Sequence, residues 1–324
     1  MTWDVLDLGP TPANGQERWG GDQRIRRVIR LIHPAPSGRR LGSRVLGLGL
    51  DALLVALRAR FITSGPLIAM NPWTTVAARV VGFRDVSTIG LYAVEGGRSW
   101  RFLRAAIGDR PVITLSEYEA SRWRAAGGRA GAVRYGATFP DTVSASGASR
   151  TDAASTQSVK VFIGGSSDRD SDAIKALISE IESKDSPLRL TIAVGDREPS
   201  DDGRVRRLTT VTADEFSELL SQSDIVFLPL ADNGRAAGHM VLVEALQRGK
   251  PVVATWVAGM DEYFDGEHVI RAAPDLVGQL VRTATAFQGR DDELHRYWRL
   301  NHSKEIFGAG LLQMLQHLHN EDSL

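Results

Sequence analysis

The sequence has no cysteine. Disulfide frameworks, thiolate metal sites and cysteine nucleophiles are therefore excluded, and the absence agrees with a reducing, cytoplasmic setting. Long apolar runs are missing as well. The longest near the start, residues 45–57, is short and carries Asp51, whereas a spanning helix needs about 20 mostly apolar residues. That run is read as a buried helix. No secretory leader is expected, because Met1-Thr2-Trp3-Asp4 opens on an acidic residue rather than a basic stretch. Lysine is absent from residues 1–140, where twenty arginines stand against ten carboxylates and leave +10. The rest of the chain carries −10, for a formal net charge of +0. Such asymmetry points to an anionic partner for the first half, with an arginine-rich solvated surface as the alternative. Nucleic acid is not expected, since no aromatic-interleaved basic motif or known binding module is present.

What is present suits an α/β protein of two domains. At roughly 100–200 residues per domain, 324 residues allow two. In the first half, strands are expected over 5–10, 67–70, 88–94, 111–115 and 132–135. Helices are expected over 22–32 (with Asp22 as cap), 74–81, 99–107 and 116–123 (with Ser116 as cap). Residues 141–158 are rich in Ser, Thr, Ala and Gly, a linker composition. The second half repeats the alternation, with strands over 159–163, 189–194, 207–211, 225–228 and 251–254 and helices over 172–183, 213–221, 240–248 and 274–287. Strands alternating with helices argue βαβ units and parallel sheets. Residues 292–320 read as one or two terminal helices.

In doubly wound sheets, ligands sit beyond the carboxyl ends of the strands. Two such loops carry chemistry. In Ile163-Gly164-Gly165-Ser166-Ser167-Asp168-Arg169-Asp170 a strand runs into paired glycines and an arginine. Glycine lets backbone N–H groups approach a phosphate, and an arginine fork suits its oxygens. An ordinary strand-to-helix turn has the same look. In Gly238-His239-Met240-Val241-Leu242-Val243-Glu244 a glycine opens a helix, with a carboxylate one to two turns in. A helix N-terminus for pyrophosphate and an acid for ribose hydroxyls make a nucleotide constellation, although Glu244 could equally decorate a helix surface.

The stretch Glu244-Ala245-Leu246-Gln247-Arg248-Gly249-Lys250-Pro251-Val252-Val253-Ala254-Thr255, followed by Val257-Ala258-Gly259-Met260-Asp261-Glu262, resembles the donor-binding core of the group 1, family 4 glycosyltransferases. Phe162-Ile163-Gly164-Gly165 with Arg169-Asp170, and residues 213–230, fit the same pattern. The resemblance covers 159–270 well and the first half weakly. It implies the GT-B fold, two Rossmann-like domains facing a cleft. An N-terminal acceptor-side domain (1–140) and a linker (141–158) would precede a donor-nucleotide domain (159–290), and helices over 291–324 would return to the first domain.

The implied activity is transfer of a sugar from a nucleoside-diphosphate sugar, with retention, to a glycan or lipid-linked acceptor. No cofactor and no metal are implied. The implied place is the cytoplasm, in polysaccharide biosynthesis, with peripheral contact at an anionic inner membrane face. By the resemblance Arg169 and Glu244 carry catalysis: Arg169 is the basic phosphate ligand and Glu244 the ribose-binding second glutamate of a paired motif. Gly15, Gly164, Gly165, Gly238, His239 and Met240 would surround the donor, the last three through backbone donors. Two departures stand out. Ala236 occupies the place of the first motif glutamate, so Asp232, Asn233 or Arg235 would have to substitute. A histidine after a central N-terminal strand is missing, and Tyr92 or Glu95 would contribute there. A degenerate nucleotide- or partner-binding protein and a sugar-nucleotide epimerase are the competing readings.

Overall fold

The computed structural model describes residues 2–8, 22–30, 41–140, 158–165, 167–183, 186–194 and 199–320, the side chains of 41–48 excepted. The chain forms two compact units, Met1–Arg134 with Phe307–Leu324, and Tyr135–Ile306.

The first unit holds β1 (Trp3–Leu6), β2 (Ile25–Ile29), α1 (Leu41–Ile62), β3 (Leu67–Ala69), α2 (Pro72–Val80), β4 (Val86–Ile89), α3 (Arg98–Ile107), β5 (Pro111–Thr114), α4 (Glu117–Ala125) and β6 (Arg129–Ala132). The six strands pair in parallel in the order β2-β1-β3-β4-β5-β6. The helix expected over 22–32 is instead a turn followed by β2. Asp22 accepts the Arg24 N–H at 2.9 Å and its guanidinium at 2.8 and 3.0 Å, which closes a tight turn in place of a helix cap. β-branched Ile25, Val28 and Ile29 then suit a strand. Carboxylates of the first strand segment hold its arginines: Arg26 bonds Asp4 at 2.7 and 2.9 Å, and Arg30 bonds Asp7 at 2.9 Å.

β4 stops at Ile89 rather than 94, because Gly90 (φ 76°) and Tyr92 (φ 50°) leave extended geometry. β6 ends at Ala132 because Tyr135 onward packs on the second unit. There the Tyr135 N–H donates to the Tyr263 hydroxyl at 2.7 Å, and Phe139 exchanges two hydrogen bonds with Gln247, each of 2.8 Å. The units thus divide at Arg134/Tyr135, ahead of the expected linker, which apart from Ser158 lies outside the described residues.

The second unit holds β7 (Val159–Gly164), α5 (Ser171–Ser183), β8 (Leu188–Ala193), β9 (Ser200–Asp201), β10 (Val205–Leu208), α6 (Ala213–Ser221), β11 (Ile225–Leu228), α7 (His239–Gln247), β12 (Val252–Ala254), a 3-10 turn (Ala258–Tyr263), β13 (Val269–Arg271), α8 (Leu276–Ala286) and α9 (Asp291–Asn301). α10 (Lys304–Asn320) follows, and from Phe307 it belongs to the first unit, where His319 meets Asp85 at 3.3 Å. The strand order is β13-β12-β11-β7-β8-β10-β9, with β9 alone antiparallel. The short edge strands β9 and β13 are additions to the sequence reading. Val161, Ile163, Ile174, Leu177, Ile178, Leu190, Phe227 and Val253 form the core between this sheet and its helices.

The topology places the site. From β7 the chain moves outward to β8 and β10, then returns to the other side of β7 to lay down β11, β12 and β13. The order reverses between β7 and β11, and ligands of doubly wound sheets bind at the carboxyl ends flanking such a reversal.

Candidate functional site

The loops leaving β7 and β11 are stitched together. Arg169 and Leu230 form an isolated antiparallel bridge, the Asp170 N–H donates to Pro229 O at 2.9 Å, and the Ala231 N–H donates to Asp168 O at 3.0 Å. Asp168 takes a left-handed φ of 54°, which a non-glycine residue adopts only when its surroundings enforce it. Its carboxylate is held from the other loop, by Asn233 Nδ2 at 2.7 Å and Arg235 Nη2 at 2.5 Å. Asp168 is the residue that the sequence reading passed over. Its only signal was a place between Gly165 and Arg169.

Arg169 lies under this junction. It donates from Nε to Gly164 O at 2.9 Å and from Nη1 to Ser167 O at 2.8 Å. Burial pushes its pKa down to about 10, against the pull of Asp168. It remains a cation at neutral pH, and a poorly hydrated one, which strengthens its pull on an anion. Gly164 closes β7 beneath the rings of Phe162 and Phe216, and Gly165 follows with φ 90°.

Gly238 begins α7 with φ 77°, and a Cβ there would meet Leu230 Cδ2 at 2.7 Å, so both backbone shape and space require glycine. As N-cap, Gly238 has no side chain to close this helix start, and helix N-terminal N–H groups left open in this way favour an anion. His239 packs on Tyr135, with ring centroids 4.9 Å apart. Its Nδ1 is buried without a hydrogen-bond partner. Burial, then the charges of Arg169 and Arg235, lower its pKa to about 4, so the ring is neutral at pH 7. Met240 is exposed. Gly259 lets the 3-10 turn approach the same loop, since a Cβ would fall 2.3–2.5 Å from Arg235 C and O and Ala236 N.

Glu244 does not decorate the helix surface. It is buried, and its Oε1 accepts from Arg248 Nε at 3.1 Å, from Arg248 Nη2 at 2.9 Å and from the Ser217 hydroxyl. Both members of the ion pair are under a tenth exposed. The candidates Gly164, Gly165, Arg169, Arg235, Gly238 and His239 thus cluster, with Glu244 further along α7. Tyr92 and Glu95 stand in the first unit on the loop after β4. Tyr92 is half exposed, and Glu95 pairs with Arg122. Gly15 lies outside the described residues.

A cavity of ≈ 220 Å³ lies at the other end of the second sheet, lined by Val159, Asp224, Lys250, Pro251, Thr285 and Asp291 at the amino ends of β7, β11 and β12. Glu267, His268 and Glu293 come within 4.8 Å of one another, but Arg290 already pairs with both glutamates.

A family model described as "Glycosyl transferases group 1" matches residues 157–287. This stretch is a group 1 glycosyltransferase domain. It spans the whole Arg169–Gly238 cluster, and the chain that carries it is a glycosyltransferase. Solved structures of the GT-B type match the full chain. Sucrose-phosphate synthase from Thermosynechococcus elongatus aligns with TM-score 0.65 at 12% identity, covering 99% of each chain. HepE of Anabaena, in complex with UDP and glucose, aligns with TM-score 0.62 at 14% identity, over 98% of this chain and 99% of that one. Trehalose 6-phosphate synthase from Burkholderia multivorans aligns with TM-score 0.61 at 9% identity, over 99% of each. The glycosyltransferase has the GT-B fold. A comparison by sequence with curated proteins finds no match.

Proposed function

We propose that the protein transfers a sugar, with retention, from a nucleoside-diphosphate sugar to a glycan or lipid-linked acceptor, and that it works at an anionic membrane face. The observation that carries the donor reading is the convergence, at the β7/β11 reversal, of Arg169, Arg235 and the uncapped start of α7. Uridine diphosphate is the first nucleotide to test, because the HepE structure holds UDP with glucose.

Breaking the sugar–phosphate bond builds negative charge on the leaving diphosphate. Donors already in place stabilise that charge without reorganisation, and each typically contributes about 10²–10³ in rate. Arg169 and the α7 amides are those donors, and Glu244 takes the ribose. The chain's own residues supply charge stabilisation, and no general base is assigned.

A panel of nucleoside diphosphates, titrated by calorimetry into the wild type and Arg169→Met, tests this. One diphosphate should bind, and the variant should lose at least about tenfold in affinity, as expected for a charge-assisted bond. A folded wild type that binds none overturns the donor reading. Ala236, in the place of a motif glutamate, favours a second reading, a binding protein without transfer. Release of UDP from UDP-glucose separates the two, because an active transferase leaks sugar to water.

A further inference from the structure

We infer that the outer face of α1 is the surface by which the protein docks on an anionic lipid bilayer. This deepens the membrane clause of the proposed function and does not depend on the donor site.

α1 is apolar on two opposite faces. Ala52, Val55, Ala56 and Ala59 are fully buried against the first unit's core. Leu50, Leu54, Leu57 and Phe61 point away from it and are 58%, 43%, 40% and 89% exposed. Their spacing of four, three and four residues puts them in one stripe, about 17 Å long at 1.5 Å per residue. Single exposed apolar residues are ordinary, but a contiguous stripe marks an interaction surface. Elsewhere in the unit Val80 and Phe102 stand on separate helices.

The flanking charge selects the partner. Arg58 and Arg60 lie on α1 itself, and its only carboxylate is Asp51. Arg27 reaches the helix end from β2, donating to Ile62 O at 3.3 Å, and Arg58 is tied back to Arg30 O at 2.7 Å. Leucines and a phenylalanine bordered by arginines suit the boundary between acyl chains and anionic headgroups, with the helix lying in the plane of the membrane. No described helix is long and apolar enough to cross a membrane.

The cysteine-free chain gives a direct test. Leu57→Cys, and Val80→Cys as a control on α2, each accept one environment-sensitive fluorophore. With phosphatidylcholine vesicles containing phosphatidylglycerol, the label at 57 should shift to shorter wavelength and the label at 80 should not. Neither should shift with phosphatidylcholine alone. Leu54→Glu/Phe61→Glu should lower co-sedimentation by about tenfold or more, as burial of apolar area requires. Its unfolding midpoint and UDP affinity should stay at wild-type values. Co-sedimentation with a silent label at 57 overturns the α1 surface while leaving the membrane reading standing. No co-sedimentation overturns both, and a label at 57 already shielded without lipid, in monomer or dimer, overturns the inference in favour of another cover.

Discussion

Replacing Glu244 by Gln separates two roles that a simple binding test confounds. Its carboxylate takes three hydrogen bonds on one oxygen, two from Arg248 and one from Ser217. The pair is removed from water, both side chains being under a tenth exposed. The substitution keeps the shape and an acceptor for Ser217 but leaves the Arg248 guanidinium buried without its counter-ion. Breaking one side of a buried pair costs about 3–5 kcal/mol, and the retained acceptor places Gln at the lower end. For a unit the size of Tyr135–Ile306, about 3 kcal/mol corresponds to a fall in Tm of roughly 6–12 °C.

Urea denaturation and thermal melting measure this, with Glu244→Met/Arg248→Met beside the single variant. Replacing both members by apolar groups is often neutral or stabilising, so the double variant should recover most of the loss. A single variant less than about 1 kcal/mol weaker than wild type would refute the buried-pair argument, since that is the range of exposed pairs. UDP affinity then decides the second role. If Glu244 binds ribose, the double variant is stable and still binds weakly. If Glu244 only holds Arg248, the double variant recovers both stability and binding.

Three further outcomes follow from the same physics. Gly259→Ala puts a methyl within 2.3–2.5 Å of the Arg235–Ala236 backbone, and should cost about 1–3 kcal/mol as an overpacking change and weaken nucleotide binding; wild-type melting would show that the loop yields freely. Asp4 is buried. Burial raises its carboxyl, but bonds from Arg26 and Thr63 and the charges of Arg26 and Arg27 hold it below the usual value. Its contribution to stability is therefore full above about pH 4 and is lost as pH falls through the depressed value. Asp4→Asn should destabilise at pH 7 and flatten the acid limb of the unfolding profile, and an unchanged limb would remove Asp4 from the account. His239 is held near pKa 4 by burial and by Arg169 and Arg235. The unfolded chain takes up that proton near 6.5, so stability declines as pH falls from there toward 4. A bound diphosphate offsets the two arginine charges and favours the imidazolium, so nucleotide affinity should rise as pH falls and His239→Asn should abolish the rise. Calorimetry in buffers of different ionisation heat, showing no proton uptake, would count against it.

Much of the fold was legible because strand–loop–helix alternation in the second half is written in short β-branched runs and Gly stops. β11 and α6 have the bounds expected from sequence, 225–228 and 213–221. The misread segment is instructive. Ile25, Val28, Ile29 and Ile32 fit a helical face, and Asp22 suits a cap. The deciding interactions are with Asp4 and Asp7, some twenty residues upstream, and periodicity does not register them. The candidate site divides in the same way. Gly164, Arg169 and Gly238 were visible because their geometry is local to one loop. The engagement of Glu244 was half visible, since Arg248 stands four residues on along one helix, but its burial and its bond from Ser217 depend on how α6 packs. The Asp168–Arg235 pair joins residues 67 apart and could be found only once β7 and β11 were neighbours.

That pair bears on the glutamate missing at 236. Arg235 does not leave its charge open beside Ala236; it turns to Asp168 on the opposite loop. A carboxylate is thus present at the junction, contributed by the β7 loop and fixed by Asn233 as well. Asp170, nearby, is engaged in accepting the N–H groups of Asp172 and Ala173 at the start of α5. The junction therefore sets two guanidiniums, Arg169 and Arg235, against one directly paired carboxylate, with a neutral imidazole and the uncapped amides of α7 beside them. An uncharged sugar alone would leave that excess positive charge in a poorly solvated place, where charge is costly unless it is paired. The diphosphate of the proposed donor would supply the missing negative charge. Under the proposed function, that balance favours the charged half of a nucleotide sugar at this junction, beside the Asp168 carboxylate held by Asn233 and Arg235.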